Sequence, residues 1–478
     1  MRGLDSGGVR PGRLLFRVSA VVLMALAHSV TSKAELIFPD ELFNEYLLAG
    51  KSIAAGEDRG LTVARLRQAI EKHPQSSHRE LARRLANDLA ESIARGEART
   101  RAGRTLEEAP AEFLSETRIP IYLLWTSENG DQPLGRYMKG HPHDPVVVLL
   151  RQERKCIELL LPHLDNDSPT RAYESGVFSG MPHVPRVSDV ALTLIETVSE
   201  CRFLRPGSPP PNRDAEINQR PELIEHISKW WRENKDKSVA EGIRAQIPRG
   251  DSYSKLTMAQ SLIRIAGEAS PPDREHALEV MRGVARVADY TGAPAAEALA
   301  KYGDLSPVEW YYDEFKGWLN VRGRLWDHKL AAMFYLADHG GRKEWELMCA
   351  IAADDIQLAN EGKSWGRRAF VLGSLVNARR AKTSPYAIPL LGMALGNTEL
   401  KGSRGVNEKI RSQSFSKADE ATEYLQKLTG VEFGYRIEGT PAERSAAIER
   451  AQKWWTEEGK ATYTFDYIEK NLITPTVK

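Results

Sequence analysis

The chain has 478 residues, of which 41% are hydrophobic and 27% are charged, with a formal net charge of +1. This length exceeds what one hydrophobic core serves, so several domains or an extended array of units are expected. Its near-neutral charge argues against a nucleic acid or an anionic membrane as the partner.

Residues 1–34 have the pattern of a secretory signal peptide. Four arginines precede an apolar run over residues 18–27, and a polar stretch follows that ends in Ser32-Lys33-Ala34, a small-residue cleavage site. We predict cleavage after Ala34, with Ala27 as the alternative site. The apolar run is too short to span a membrane, which takes about 20 residues. The sequence therefore predicts export to the periplasm or the exterior, with no stable membrane insertion once the signal is removed. Cleavage removes five basic residues and one acidic residue and leaves a net charge of −3.

Helical periodicity dominates the remaining chain. An apolar residue recurs every fourth position at Leu81, Leu85, Leu89 and Ile93, with Ser77 as the expected cap. A second helix is predicted between Ser270 and Gly292, with Pro272 and Asp273 in its first turn. Further helices are expected to start at Ser306-Pro307 and Ser384-Pro385, and stops are expected at Gly340-Gly341 and Gly396-Asn397. The chain is therefore expected to be mostly α-helical.

Turn-rich passages divide the chain into regions. Beyond the signal peptide we predict an N-terminal helical region (35–126), a loop (127–143), a helical-repeat unit (144–238), a middle helical block (239–395) and a C-terminal repeat unit (396–478).

Two distant stretches follow one plan, and each ends in a pair of tryptophans. The first Trp segment runs from Asp189 through Phe203 to Trp230-Trp231, and the second runs from Asp419 through Phe433 to Trp454-Trp455. The offset is 230 residues from the Asp to the Phe and 224 residues at the tryptophans, so the connecting loop is longer in the first segment. Self-similarity of this kind is typical of repeat architectures, in which neighbouring units share a core.

The regions before both segments carry a family resemblance. In the first, Asp144-Pro145 leads into Leu159-Leu160-Leu161 and an Asp/Pro corner, and residues 387–395 have a similar character ahead of the second. With Leu428-Thr429-Gly430 and the closing Trp-Trp helix, the chain resembles exported bacterial HEAT-repeat proteins, although Val198-Ser199-Glu200 departs from that pattern. The resemblance implies an all-α, HEAT-like helical repeat or α-α superhelix with long irregular loops. Such stacks normally hold other macromolecules, and the resemblance implies no chemistry.

The tryptophans have two interpretations. The first Trp segment has an apolar stripe at Ala191, Leu194, Ile195 and Val198. Trp231 continues the apolar side of the next helix, whereas Trp230 lies about 100° away. We therefore expect one indole of each pair to be buried and the other either to lie at the edge of the core or to cover a neighbouring unit. They are either packing anchors between units or, for the second indole, a platform that stacks on carbohydrate or peptide.

Candidate chemistry is sparse. His141-Pro142-His143-Asp144 could supply zinc ligands, but Asp144-Pro145 also fits a helix cap followed by a first-turn proline.

Aromatics with neighbouring carboxylates at residues 310–315, together with Trp318 and Trp326, suit a sugar-binding cleft or, alternatively, a packed helix. Asp313 and Glu314 point about 100° apart on a helix and cannot both face one substrate.

Cys156, Cys201 and Cys349 allow at most one disulfide, and burial as small apolar residues is the simpler expectation. The sequence therefore assigns no catalytic, cofactor-binding or metal-binding residue and implies no cofactor. We predict an exported, non-enzymatic helical-repeat scaffold with an unknown protein partner. The alternative is a polysaccharide hydrolase or lyase, or a glycan-binding protein, with an α/α toroid and a tryptophan-lined cleft.

Overall fold

The computed structural model describes residues 40–54, 58–94, 100–101, 103–119, 124, 138–172, 184–203, 220–266, 270–287, 291–321, 327–360, 372, 375–398 and 415–473. The predicted signal peptide lies outside these residues. The chain divides into two units, residues 1–265 and residues 266–478. None of the helices in the described ranges is long and apolar enough to cross a bilayer.

The fold is all-α, as the sequence predicts. Within the described ranges the only strands are two short ones, β1 (Thr100–Arg101) and β2 (Arg104–Thr105). They pair antiparallel, with Thr100 opposite Thr105.

The first unit contains nine of the described α-helices. They are α1 (Glu41–Ala54), α2 (Arg59–Lys72), α3 (Arg79–Ala94), α4 (Pro145–Leu150), α5 (Cys156–Leu160), α6 (Val187–Ser199), α7 (Arg220–Asn234), α8 (Val239–Gln246) and α9 (Ser252–Ala266, which ends at the boundary). Short 3₁₀ turns occur at Pro110–Glu116, Glu153–Lys155, Leu161–His163 and Ile247–Arg249. Helices α1 to α3 share a core around Leu42, Tyr46, Leu66 and Leu89.

The second unit contains the remaining described helices. They are α10 (Pro271–Ala285), α11 (Gly292–Lys301), α12 (Ser306–Val321), α13 (Asp327–His339), α14 (Arg342–Asn360), α15 (Ile388–Ala394), α16 (Lys417–Thr429), α17 (Pro441–Trp454), α18 (Lys460–Thr462) and α19 (Phe465–Asn471). A π-helical turn, Trp455–Gly459, joins α17 to α18. Buried Phe315, Leu336, Trp345 and Met348 contribute to the core.

Most predicted helix ends are confirmed. Helix α12 begins at Ser306, α13 ends at His339 before the two glycines, and Ser384 precedes a 3₁₀ turn that leads into α15. The predicted cap at Ser77 is wrong, because α3 begins at Arg79 and the Ala82 N–H bonds to the carbonyl of His78. Ile93, predicted on the apolar face, is 44% exposed in the last turn of the helix.

Candidate functional site

The two Trp segments begin with helices whose bounds keep the sequence offset. Helices α6 and α16 each have 13 residues, and both their first and their last residues lie 230 positions apart. Each helix ends at a left-handed residue, Glu200 with φ 56° and Gly430 with φ 72°. Glycine adopts this conformation without strain, whereas Glu200 adopts it with its carboxylate paired to Arg264 at 2.7 Å. The chain therefore leaves both helices in the same direction despite the different cap residues.

A side chain one turn before the end of each helix holds the loop that follows. The Phe203 N–H donates to Glu196 Oε1 at 2.7 Å, and the Phe433 N–H donates to Gln426 Oε1 at 3.0 Å. This bond fixes each phenylalanine against the first tryptophan of its pair. The ring centroids are 5.0 Å apart for Phe203 and Trp230 and 5.1 Å apart for Phe433 and Trp454.

A short helix precedes each segment, and an asparagine after it accepts a hydrogen bond from the start of the segment's first helix. The Ser188 N–H donates to the Asn166 carbonyl at 2.9 Å, and the Ala418 N–H donates to the Asn397 carbonyl at 2.9 Å. Counting back from these asparagines aligns Leu161 with Gly392. This correspondence is not among the sequence-based predictions, although the shared Leu-x-Asn ending at Asn166 and Asn397 could have revealed it.

The burial of the tryptophans differs between the segments. In the first, Trp230 is 1% exposed and Trp231 is 6% exposed, so both indoles are buried and neither lies at an exposed edge of the core. Trp231 is covered because the Arg154 guanidinium lies 5.5 Å from its ring centre and donates to the carbonyls of Asn234 and Lys237. In the second segment both Trp454 and Trp455 are partly exposed.

This difference extends to further positions of the second segment, which together with the two tryptophans we call the open Trp face. The open Trp face consists of five residues that are partly exposed where their equivalents in the first segment are buried: Gln426, Thr429, Val431, Trp454 and Trp455, against Glu196, Ser199, Cys201, Trp230 and Trp231. On α16, Lys417, Glu420 and Glu423 differ from Val187, Val190 and Thr193 in the same way. The loop hydrogen bonds of the two segments are the same. The difference in exposure therefore arises from the parts of the chain that pack over these residues.

Additional aromatic rings continue from the open Trp face. Tyr463 lies 5.7 Å from Trp454 between ring centroids and 5.5 Å from Tyr467, which is 37% exposed. Two glycines make room for the indoles. A Cβ at Gly392 would overlap the Trp455 ring, and one at Gly459 would lie 2.7 Å from Trp455 and 2.9 Å from Trp454. The result is a row of partly exposed aromatic rings on a rigid base.

The His141-Pro142-His143-Asp144 sequence forms a helix start. Asp144 caps α4 by accepting from the Val146 N–H at 3.0 Å, and it also accepts from Thr117 Oγ1 at 2.7 Å. His143 is 82% exposed, and its nearest acidic partner is Glu107 at 3.8 Å. The cap interpretation of Asp144-Pro145 is confirmed. In the described part of the chain no group of three or more His, Cys, Asp or Glu residues is arranged to hold a metal ion.

The aromatic segment at residues 310–315 lies on α12 and is packed. Tyr311 is 5% exposed and Phe315 is fully buried. Cations cover two other rings, with Arg286 at 4.1 Å from the centre of Trp310 and Lys343 at 4.7 Å from that of Tyr312. The packed-helix interpretation is confirmed for Tyr311 and Phe315, whereas Trp310 and Tyr312 are partly exposed. Trp326 and the side chain of Trp318 lie outside the described part of the structure.

A shallow surface depression at the start of α1 contains a charged cluster. Asp40 accepts hydrogen bonds from the Phe43 N–H at 3.0 Å and from Ser76 Oγ at 2.8 Å, and it lies 2.9 Å from His78 Nδ1. Burial opposes ionisation of this carboxyl, but the bonds from His78, Ser76 and the Phe43 N–H outweigh it and lower the pKa of Asp40 to about 2. Ser76 binds Asp40 rather than the second nitrogen of His78, so the arrangement fixes helix ends and does not activate a nucleophile.

The three cysteines have free thiols. Cys156 and Cys201 are fully buried, as predicted, whereas Cys349 is partly exposed. Burial raises the pKa of Cys156 and of Cys349 to about 12 and raises that of Cys201 further. None of the thiols is therefore activated.

A scan against protein-family models and searches of curated proteins and of solved structures found no match to this chain. Its function has to be argued from its own contacts.

Proposed function

We propose that this chain is a non-enzymatic helical scaffold that binds a protein partner through the open Trp face. The observation that carries the proposal is the burial difference between the two Trp segments. Trp230 is 1% exposed, whereas Trp454, on the same backbone arrangement, is partly exposed. Aromatic rings at the centre of a protein surface patch contribute a large share of binding energy when a partner covers them.

A HEAT-like architecture is part of this proposal. Its support is the agreement between the two Trp segments in helix bounds, loop hydrogen bonds and ring contacts. Units of this kind bury their apolar sides against neighbouring units. A unit with an uncovered side therefore offers a ready binding surface. The signal-like sequence at residues 1–34 supports a periplasmic or extracellular setting for the partner.

Glycan binding is the second candidate, and the row of rings from Trp454 through Tyr463 to Tyr467 favours it. Partly exposed aromatic rings can stack on sugar faces as well as on peptide. A sugar-binding cleft at residues 310–326, which the sequence suggested, is less favoured because Tyr311 and Phe315 are packed in the core. Affinity electrophoresis in glycan gels and reducing-sugar release would reveal a glycan ligand or a glycan-cleaving activity.

Photocrosslinking in the native host tests the proposal. A photoreactive phenylalanine analogue replaces Tyr467 beside the open Trp face and, as a matched control, Tyr302 at the end of α11. Both tyrosines are 37% exposed, so the two variants present their labels equally. We expect a discrete protein adduct from position 467 and none from position 302. Equal labelling at both positions, or retention in a glycan gel without any protein adduct, would contradict the proposal.

A further inference from the structure

The first Trp segment is followed by a helix that packs against Trp230, namely α8. Trp230 Nε1 donates to the carbonyl of Gly242 at 3.2 Å. At the end of the same helix, Gln246 Nε2 donates to the Arg202 carbonyl at 3.0 Å in the loop that follows α6. Two turns of helix thus lie against Trp230 and the loop after α6, at positions that correspond to part of the open Trp face.

Recognition by α8 depends on a small residue. A Cβ built at Gly242 would lie 3.1 Å from Trp230 Cζ2, which is tighter than ordinary van der Waals contact. The absence of a side chain lets the helix backbone approach the indole closely enough for its carbonyl to accept the N–H. The neighbouring Ile243 is fully buried, whereas Glu241 and Arg244 are exposed, so the helix is amphipathic.

The second Trp segment lacks this covering helix within the described residues. Gly459 touches the six-membered ring of Trp454, but its carbonyl accepts from the Tyr463 N–H at 2.8 Å. Helix α19 then packs elsewhere, because Arg342 of α14 binds Asp466 at 2.6 Å and Glu469 at 2.8 Å. Trp454 Nε1 therefore has no hydrogen-bond acceptor in the described part of the chain.

We infer that the open Trp face binds a short amphipathic helix of a partner protein, which places a glycine or alanine against Trp454 and offers a backbone carbonyl to its indole N–H. The inference rests on the proposed function and adds the chemistry of the partner. Its basis is that α8 already packs against the corresponding arrangement of helix end, phenylalanine and tryptophan in the first Trp segment. A helix laid in an apolar groove is also a recurrent mode of peptide recognition.

The probe is a synthetic peptide with the sequence of residues 237–250, which includes α8. An isolated helix this short is marginal in water, so a hydrocarbon staple joins positions 241 and 245, both exposed in the chain. The full chain, with its tryptophans labelled with ¹⁵N, is titrated with the peptide. Replacing Trp454 by Phe assigns its indole resonance and removes the N–H donor together with part of the ring system. Circular dichroism checks that this variant folds.

We expect the peptide to shift the Trp454 indole resonance and to leave that of buried Trp230 in place. Trp454→Phe should weaken binding at least about tenfold, because it removes one hydrogen-bond donor and part of the ring surface. The control Trp310→Phe should leave binding unchanged, because that ring lies under Arg286 on α12. A peptide with Gly242→Val should bind at least about tenfold more weakly, because a β-branched residue cannot lie flat on the indole.

Three results would overturn the inference. If a protein adduct forms at position 467 but the peptide leaves Trp454 unshifted, the partner is not a helix of this kind, and the proposed function stands. Equal binding of the Gly242→Val peptide would refute the requirement for a small residue. A Trp454 shift with an oligosaccharide in place of the peptide, without any protein adduct, would refute both the inference and the proposed function.

Discussion

Arg444 and Asp419 form an ion pair in which each side chain is only 4% exposed, with Arg444 Nε at 3.1 Å from Asp419 Oδ1. Asp419 also accepts from Tyr435 O–H at 3.1 Å and from the Ser416 N–H at 2.7 Å. The pair joins α16 to α17 and so sets the position of the tryptophans at the end of α17.

Removing the charge of Arg444 should destabilise the second unit strongly. In Arg444→Met the apolar stem is retained while the Asp419 carboxylate loses its buried counter-ion, which costs about 3–5 kcal/mol. Urea unfolding followed by tryptophan fluorescence measures the change. The control is Lys427→Met, since Lys427 forms an exposed pair with Glu423 worth about 0.3–0.5 kcal/mol. Similar losses in the two variants would contradict the prediction.

Trp455 and Gly392 should be energetically coupled. Trp455→Ala removes a large side chain from the packed base of the open Trp face and should cost on the order of 3–5 kcal/mol. Gly392→Ala should cost about 1–3 kcal/mol, because its methyl group would overlap the indole. In the Trp455→Ala background the second substitution should cost little, which a double-mutant cycle measures.

The matched control for that cycle is Gly317→Ala in α12, where nothing lies within 4 Å of the added Cβ. This substitution should stabilise the helix by about 0.5–1 kcal/mol, because alanine loses less conformational freedom than glycine. If Gly392→Ala were also stabilising, the close approach of Trp455 would be disproved.

The Asp40 cluster should make the free energy of unfolding of the first unit depend on pH in the acidic range. The pKa of Asp40 is about 2 in the folded chain, against an ordinary value of 3.8. A depressed carboxyl pKa contributes stability above the unfolded value, and the contribution is lost as the pH falls from about 4 to about 2. The stability difference between the wild type and Asp40→Asn should therefore shrink over that interval.

Ser76→Ala provides a separate check on the same cluster. It removes one of the hydrogen bonds to the Asp40 carboxylate, so the pKa of Asp40 should rise toward 3.8. An NMR titration of the Asp40 side-chain carbon measures it directly. An unchanged midpoint in Ser76→Ala would show that Ser76 does not contribute.

The three thiols should resist modification in the native chain. Burial raises the pKa of Cys156 and Cys349 to about 12, and the thiolate is the reactive form. A disulfide reagent at pH 8 should react slowly with the folded protein and rapidly with all three cysteines in denaturant. Fast reaction of one native thiol would contradict this prediction. Cys349 is the partly exposed one and therefore the most accessible to the reagent.

Local patterns could be predicted from the sequence, whereas burial by distant parts of the chain could not. The constant offset between Asp189 and Asp419 predicted two helices of matching bounds, because the phase of an apolar stripe is a local property. The cap at Asp144 was likewise predictable from two neighbouring residues. Ser77 failed as a cap because Ser76 and His78 bind Asp40, a partner more than 30 positions away.

The candidate site depended on contacts that no local pattern encodes. The matching Trp-Trp pairs suggested equal environments, yet Trp230 is covered by α8 and Trp454 is not. That difference follows from where the chain goes after each pair: into α8 in one case, and through the π-helical turn toward α14 in the other. The direction of a connection depends on its distant partners and is not visible in residue periodicity.

Gly392 makes the two Trp segments non-interchangeable. The aligned position in the first segment is Leu161, whose side chain would occupy the volume of the Trp455 indole. A chimera that grafted the short helix of the first segment ahead of α16 would therefore expel Trp455 into solvent. If these segments descend from one ancestral unit, their tryptophan pairs have since become specialised, each compatible only with its own neighbour.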